Sequence, residues 1–228
     1  MRSTSAFCAI LFGLLACTAT KTNAQIVEYA YEAVVTEVEE GVSAPLSDVQ
    51  VGDLMTGHLR YDLATPGENA GQLTHYPHPS ADLPVLTLEV RKPGGEVIFE
   101  TRPFSDPFSP DVFVGHYHNF SGVPIITDLG DVFWGTQRAL VDSDTGPRRV
   151  SLFLSLIERL PTGNRPFVDT SLPKRLDLSS FTTERSIEIN LFRSSIFGEL
   201  TSLTLVVPEP ASATLIAIAI ISISLRRR

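Results

Sequence analysis

Val27-Glu28-Tyr29-Ala30-Tyr31-Glu32-Ala33-Val34-Val35 places an apolar residue at every odd position, while Glu28 and Glu32 take the other face. A period of two is the signature of a strand whose faces meet different surroundings. The same alternation recurs outward along the chain. Met55, Leu59 and Tyr61 oppose Thr56, His58 and Arg60, and Leu86, Leu88 and Val90 oppose Thr87, Glu89 and Arg91. Lys92-Pro93-Gly94-Gly95 then turns the chain into Val97, Phe99 and Thr101, which predicts a hairpin. Val150, Leu152, Leu154 and Leu156 interleave with Ser151, Phe153, Ser155 and Ile157. That pattern suits a strand buried on both faces, and the apolar density of 151–160 would also suit a helix. Ile187, Ile189 and Leu191 form another run, and Leu203, Leu205 and Val207 the last.

Helical period is weak throughout. Many short alternating runs, punctuated by sixteen Pro and fifteen Gly, predict an all-β fold: one antiparallel β-sandwich, jelly-roll-like, over residues 25–207. The Pro-rich stretches 62–84, 102–111 and 161–175 lack alternation and read as long loops. No internal repeat and no second domain is visible.

The two ends read as addresses rather than fold. Arg2 precedes an eleven-residue apolar run, Ala6 to Ala16, and Thr22-Asn23-Ala24 follows. A basic start, a short apolar run and small residues around a cut form a signal peptide, with signal peptidase expected to cleave after Ala24. Leu14-Leu15-Ala16-Cys17 resembles a bacterial lipobox, which would instead make Cys17 a lipidated N-terminus. Both cysteines, Cys8 and Cys17, lie in this leader, so a chain cut after Ala24 has no thiol and no disulfide.

At the other end, Val207-Pro208-Glu209-Pro210 is followed by fifteen uncharged residues, Ala211 to Leu225, and by Arg226, Arg227 and Arg228. As a helix this run is ~22 Å long at ~1.5 Å per residue, short for a ~30 Å bilayer core. The terminal arginines would stop it on the cytoplasmic side. The order of these three parts resembles the PEP-CTERM protein-sorting signal. That resemblance implies export by a Gram-negative bacterium, a short transmembrane helix over 208–228, and processing near Pro208-Glu209-Pro210 by an exosortase-like enzyme. Release or retention at the cell surface would follow, often with exopolysaccharide and biofilm. Val51-Gly52-Asp53 through Thr56-Gly57 to Tyr61-Asp62 also resembles a frequent opening of such proteins.

The whole chain carries a formal net charge of -8. Residues 25–210 keep thirteen of its eighteen basic residues and all twenty-six acidic ones, a net of -13. Such a body repels phosphate backbones and argues against a nucleic-acid partner.

Candidate chemistry is sparse. There is no Gly-x-Ser-x-Gly elbow, no His-Glu-x-x-His and no phosphate loop, so no catalytic residue is assigned and a non-enzymatic role is expected. Carboxylate pairs for glycoside cleavage come from distant strands, and spacing along the chain does not locate them. His116 and His118 would share a strand face at chelating distance, whereas His75 and His78 flank Pro77 and read as loop residues. Exposed histidines are the simpler reading, so neither metal nor cofactor is expected. Asp142-Ser143-Asp144-Thr145-Gly146 lacks the distal Glu of a calcium loop and reads as a solvated turn. Tyr117, Phe120, Phe133 and Trp134 supply aromatic surface on which a sugar ring can stack. Phe133 and Trp134 also read as core, since of two strand neighbours one normally faces inward; Tyr117 and Trp134 are the candidate polysaccharide contacts. Two readings follow: a non-enzymatic surface or matrix protein, and a carbohydrate-binding module of the matrix.

Overall fold

The computed structural model describes residues 26–41, 46–70, 73–77, 85–104, 111–116, 130–143, 146–158, 166–167, 169–191 and 194–206. The leader, Tyr117, His118, and the whole of Val207, Pro208, Glu209, Pro210 and the arginine-ended tail lie outside them. Among the described residues no helix is long and apolar enough to cross a membrane.

The described chain is all-β. Its strands are β1 (Ile26–Val38), β2 (Leu54–Asp62), β3 (Glu68–Ala70), β4 (Leu73–Pro77), β5 (Leu86–Arg91) and β6 (Val97–Pro103). They continue with β7 (Asp111–His116), β8 (Asp131–Val141), β9 (Arg148–Glu158), β10 (Glu184–Leu191) and β11 (Ser194–Leu205). All pairings are antiparallel. Read around the sheet, β1, β2, β5, β6, β8, β9, β10 and β11 follow one another, and β11 pairs with β1 again.

This closed eight-stranded barrel corrects the expected sandwich. Alternation reports one buried and one exposed face, which two packed sheets and one sheet curled on itself share. What distinguishes them is pairing between β6 and β8 and between β8 and β9. Eleven residues of β8 pair along β9, from Asp131 with Glu158 to Val141 with Arg148. On its other edge β8 is divided. Residues 131–136 pair with β7, and 139–141 pair with Thr101, Arg102 and Pro103 of β6. Gln137 sits at this fork, buried; its Oε1 accepts from Val85 N at 2.9 Å and its Nε2 donates to Arg138 O. The amide side chain thus replaces the missing rung.

Two predicted loops contain strands. The stretch 62–84 holds β3 and β4, and 102–111 holds the end of β6 and the start of β7. Together β3, β4 and β7 form a flap that extends the sheet beyond β8. Residues 151–160 are strand through Glu158, not helix; Phe153 is 38% exposed, so that strand is not buried on both faces. The hairpin after Arg91 forms as predicted, with Gly95 at φ 90° and Lys92 N donating to Glu96 O.

A barrel of eight strands has an interior just wide enough for side chains to fill. Here Tyr29, Tyr31, Met55, Leu59, Tyr61, Leu86, Leu88, Phe133, Leu152 and Leu154 fill it, each almost wholly buried. Large groups fit because glycines face them. The Tyr31 phenol lies over Gly57 and donates to Thr87 O at 2.6 Å.

Both barrel ends are covered. At one, a short 3-10 turn over Leu46–Asp48 puts Leu46 and Val49 into the core. At the other, the connection between β9 and β10 folds across the mouth and buries Phe167, Leu172, Leu176 and Phe181. This plug is tied at several points. Tyr61 donates to Pro173 O and Tyr76 to Thr170 O, each at 2.7 Å. Tyr29 Oη accepts from Leu176 N at 2.5 Å. Asp131 accepts from Phe167 N at 2.9 Å, and Glu158 accepts from Thr182 N. Each bond gives a backbone group of the plug a partner from the barrel.

Candidate functional site

Odd-numbered residues of β9 and even-numbered residues of β8 and β10 face outward. Registers therefore decide which of them meet. In one ladder row Phe113 of β7 pairs with Trp134 of β8, Trp134 with Ser155 of β9, and Ser155 with Ser186 of β10. In the next row Thr136 pairs with Phe153, Phe153 with Glu188, Glu188 with Phe197 of β11, and Phe197 with Glu37 of β1. Residues paired across strands have Cβ atoms ~5 Å apart, so each row is a continuous surface.

The rows enclose a groove of about 620 Å³. Phe113, Trp134, Phe153 and Phe197 form its apolar walls, and Glu37, Glu184 and Glu188 its acidic ones. The depression exists because Ser155 and Ser186 are small where neighbouring positions carry rings. Trp134 Nε1 donates to Ser155 Oγ at 2.9 Å, which fixes the indole plane. A smaller depression of about 260 Å³ continues past Thr136 and Phe153 toward Asp111 and Arg138.

The three glutamates differ in how they are held. Glu184 accepts from the Ser186 hydroxyl at 2.9 Å. Glu188 Oε1 accepts from Asn190 Nδ2 and from Ser195 Oγ, at 3.1 and 2.7 Å. Glu37 pairs with no cation among the described residues, and no Lys or Arg lines the groove.

Of the two residues expected to contact sugar, Trp134 stands on this groove, half-buried, and Tyr117 lies outside the described residues. Of the neighbours Phe133 and Trp134, it is Phe133 that faces the core. His75 is not in a loop. It is on β4, stacked on Phe113 at 4.8 Å between ring centroids, with Nε2 2.8 Å from Asp111 Oδ1. It thereby extends the aromatic row by one strand, because β4 has pulled it into the sheet. His116 ends β7, but its expected companion His118 is outside the described residues. Among the described residues no three His, Cys, Asp or Glu side chains are grouped to hold a metal. At the 142–146 turn, Ser143 Oγ donates to Gly146 O at 2.6 Å and Asp142 pairs with Arg102.

Two buried carboxylates, Asp131 and Glu158, stand opposite each other on β8 and β9. Both are turned toward main-chain amides of the plug, which gives them a structural task. On the outer face of β1 and β2, Glu28 lies 2.8 Å from both Arg60 and His58. The hydrogen bond from Arg60 holds the Glu28 carboxyl below its usual range.

Phe113, Phe153, Phe197 and the glutamates escaped the sequence reading. One signal was available: Phe153 and Phe197 occupy positions flanked at i±2 by Ser or Glu, an aromatic on a face that is otherwise polar. Comparison of the chain with protein-family models, with curated proteins and with solved structures finds no match.

Proposed function

We propose that this chain is an exported, non-enzymatic surface or matrix protein whose barrel binds polysaccharide through the groove of Trp134. The observation that carries the binding role is the composition and form of that groove. It is open to solvent, walled by four aromatic rings and edged by hydroxyls and carboxylates. Aromatic faces accept the C–H surface of a pyranose, while carboxylates and serines take its hydroxyls. Among the described residues, tyrosines and leucines fill the interior and the plug covers one end.

Export rests on the two terminal segments. The leader over 1–24 supports passage through the inner membrane. The resemblance of Val207-Pro208-Glu209-Pro210, the apolar run and Arg226, Arg227 and Arg228 to a PEP-CTERM signal supports temporary anchoring, then processing by an exosortase-like enzyme.

The binding role is tested by titrating the barrel with oligosaccharides and following the fluorescence of Trp134, the sole tryptophan. Saturable change is the expected result. Phe153→Ala should weaken binding about tenfold, equivalent to ~1.4 kcal/mol, without altering the fold. Wild-type protein that binds no polysaccharide refutes the role. Cell fractions from strains with and without residues 207–228 test delivery, and mature protein still ending in Arg228 would contradict processing.

A further inference from the structure

The ladder row Thr136, Phe153, Glu188, Phe197 and Glu37 does more than provide aromatic surface. It seats Glu188 between two phenylalanines and sets a second carboxylate on the far side of Phe197. Resting on the polysaccharide reading above, we infer that the groove selects a polymer of amino sugars bearing free amines over neutral or uronate chains.

Charge complementarity carries the inference. Glu37, Glu184 and Glu188 line the groove and, among the described residues, no Lys or Arg does, in a body whose net charge is -13. A uronate ring stacked on Phe197 would bring its carboxylate against Glu188 or Glu37, at the ~5 Å spacing of paired strands. A neutral ring meets no repulsion but leaves Glu37 without a counter-charge. A ring carrying an ammonium places it beside a carboxylate on either side of the phenyl platform. That contact is a charge-assisted hydrogen bond, about twice as strong as its neutral equivalent. Glu188 is already oriented by Asn190 and Ser195, so less is lost in fixing it. Arg138 lies in the adjoining smaller depression, beyond Phe153, and is not among the residues that line this groove.

The test compares four probes on the barrel at mildly acidic pH. They are a glucosamine hexamer, its N-acetylated counterpart, a uronate hexamer and a lysine hexamer. The glucosamine hexamer should bind at least about tenfold tighter than the N-acetyl form and lose that advantage as salt rises. Glu37→Gln with Glu188→Gln should weaken the glucosamine hexamer far more than the N-acetyl form, and so remove most of the preference. Gln keeps the acceptor that Asn190 and Ser195 use, so the fold is retained.

Equal affinity for the amine and acetyl forms overturns the inference and leaves the polysaccharide reading standing. So does tighter binding of the uronate. A lysine hexamer that binds as well as the glucosamine hexamer also overturns it, because charge alone would then suffice. If no oligosaccharide binds, both readings fall.

Discussion

Gly57→Ala is the sharpest test of the barrel's internal packing. Gly57 points into the barrel from the middle of β2, paired with Leu88 of β5. A Cβ added there would lie 1.9 Å from the Thr87 carbonyl oxygen and 2.5 Å from the Tyr31 hydroxyl oxygen. Ordinary contact begins near 3.4 Å, so the carbonyl would have to retreat by about 1.5 Å. It belongs to the backbone of a strand laddered on both edges and has little room to do so. Overpacking of this kind costs about 1–3 kcal/mol. Breaking the Tyr31–Thr87 hydrogen bond adds ~1 kcal/mol. A total of about 2–4 kcal/mol is a large share of the 5–15 kcal/mol that holds a domain together. At roughly 2–4 °C per kcal/mol for a chain of this size, the melting temperature should fall by about 10 °C. Tyr31→Phe, which loses only the bond, should cost ~1 kcal/mol. Gly135→Ala is the control. Its nearest neighbour is the Leu59 Cδ1 methyl at 3.3 Å, a side chain that can shift. Thermal unfolding of the three variants decides the matter. Gly57→Ala melting within about 2 °C of the parent, or below neither control, would refute the packing argument.

Tyr29, Tyr31 and Tyr61 are held neutral by burial, which pushes each phenol above its ordinary value near 10. A raised value in the folded state leaves stability intact below about pH 10. Stability is then lost as pH rises further, because only the unfolded chain ionises. Denaturant midpoints should therefore hold steady up to about pH 10 and fall above it, and tyrosinate absorbance should rise with unfolding rather than before it. Asp131→Ala strips the plug of its acceptor for Phe167 N, a buried bond whose loss costs about 1–3 kcal/mol. Hydrogen exchange should quicken at Phe167 and Leu176 before it quickens in β10; uniform exchange would show that the plug has no stability of its own.

The fold was legible where one face of a strand is apolar and the other charged. β1, β2 and β5 announce themselves in this way. β8 does not. Its inward face carries Gly135 and Gln137, and its outward face buries Val132, so the contrast between faces vanishes. β8 is the strand that closes the barrel, and without it seven alternating runs look like two sheets. The flap strands escaped for a different reason: β3 and β4 are too short for a period to register among the prolines of 62–84. Ser194 to Leu200 of β11 was missed because Gly198 stands where an inward apolar residue would mark the face. The groove was half legible. Trp134 drew notice as a strand aromatic, but its companions come from β7, β9 and β11, and registers rather than spacing bring them together.

β11 has a double position. It contributes Phe197 to the groove wall, and its last residues leave the barrel at the plugged end, where Val206 N still bonds to Glu28 O at 2.8 Å. A ligand gripping that wall and a tail held beyond Val206 would pull on the same length of backbone. The load would run along the strand axis, so the rungs to β1 and β10 resist together in shear instead of opening one after another. On the proposed binding and anchoring roles, the load would therefore enter and leave the fold on one strand, with its neighbours holding it in place.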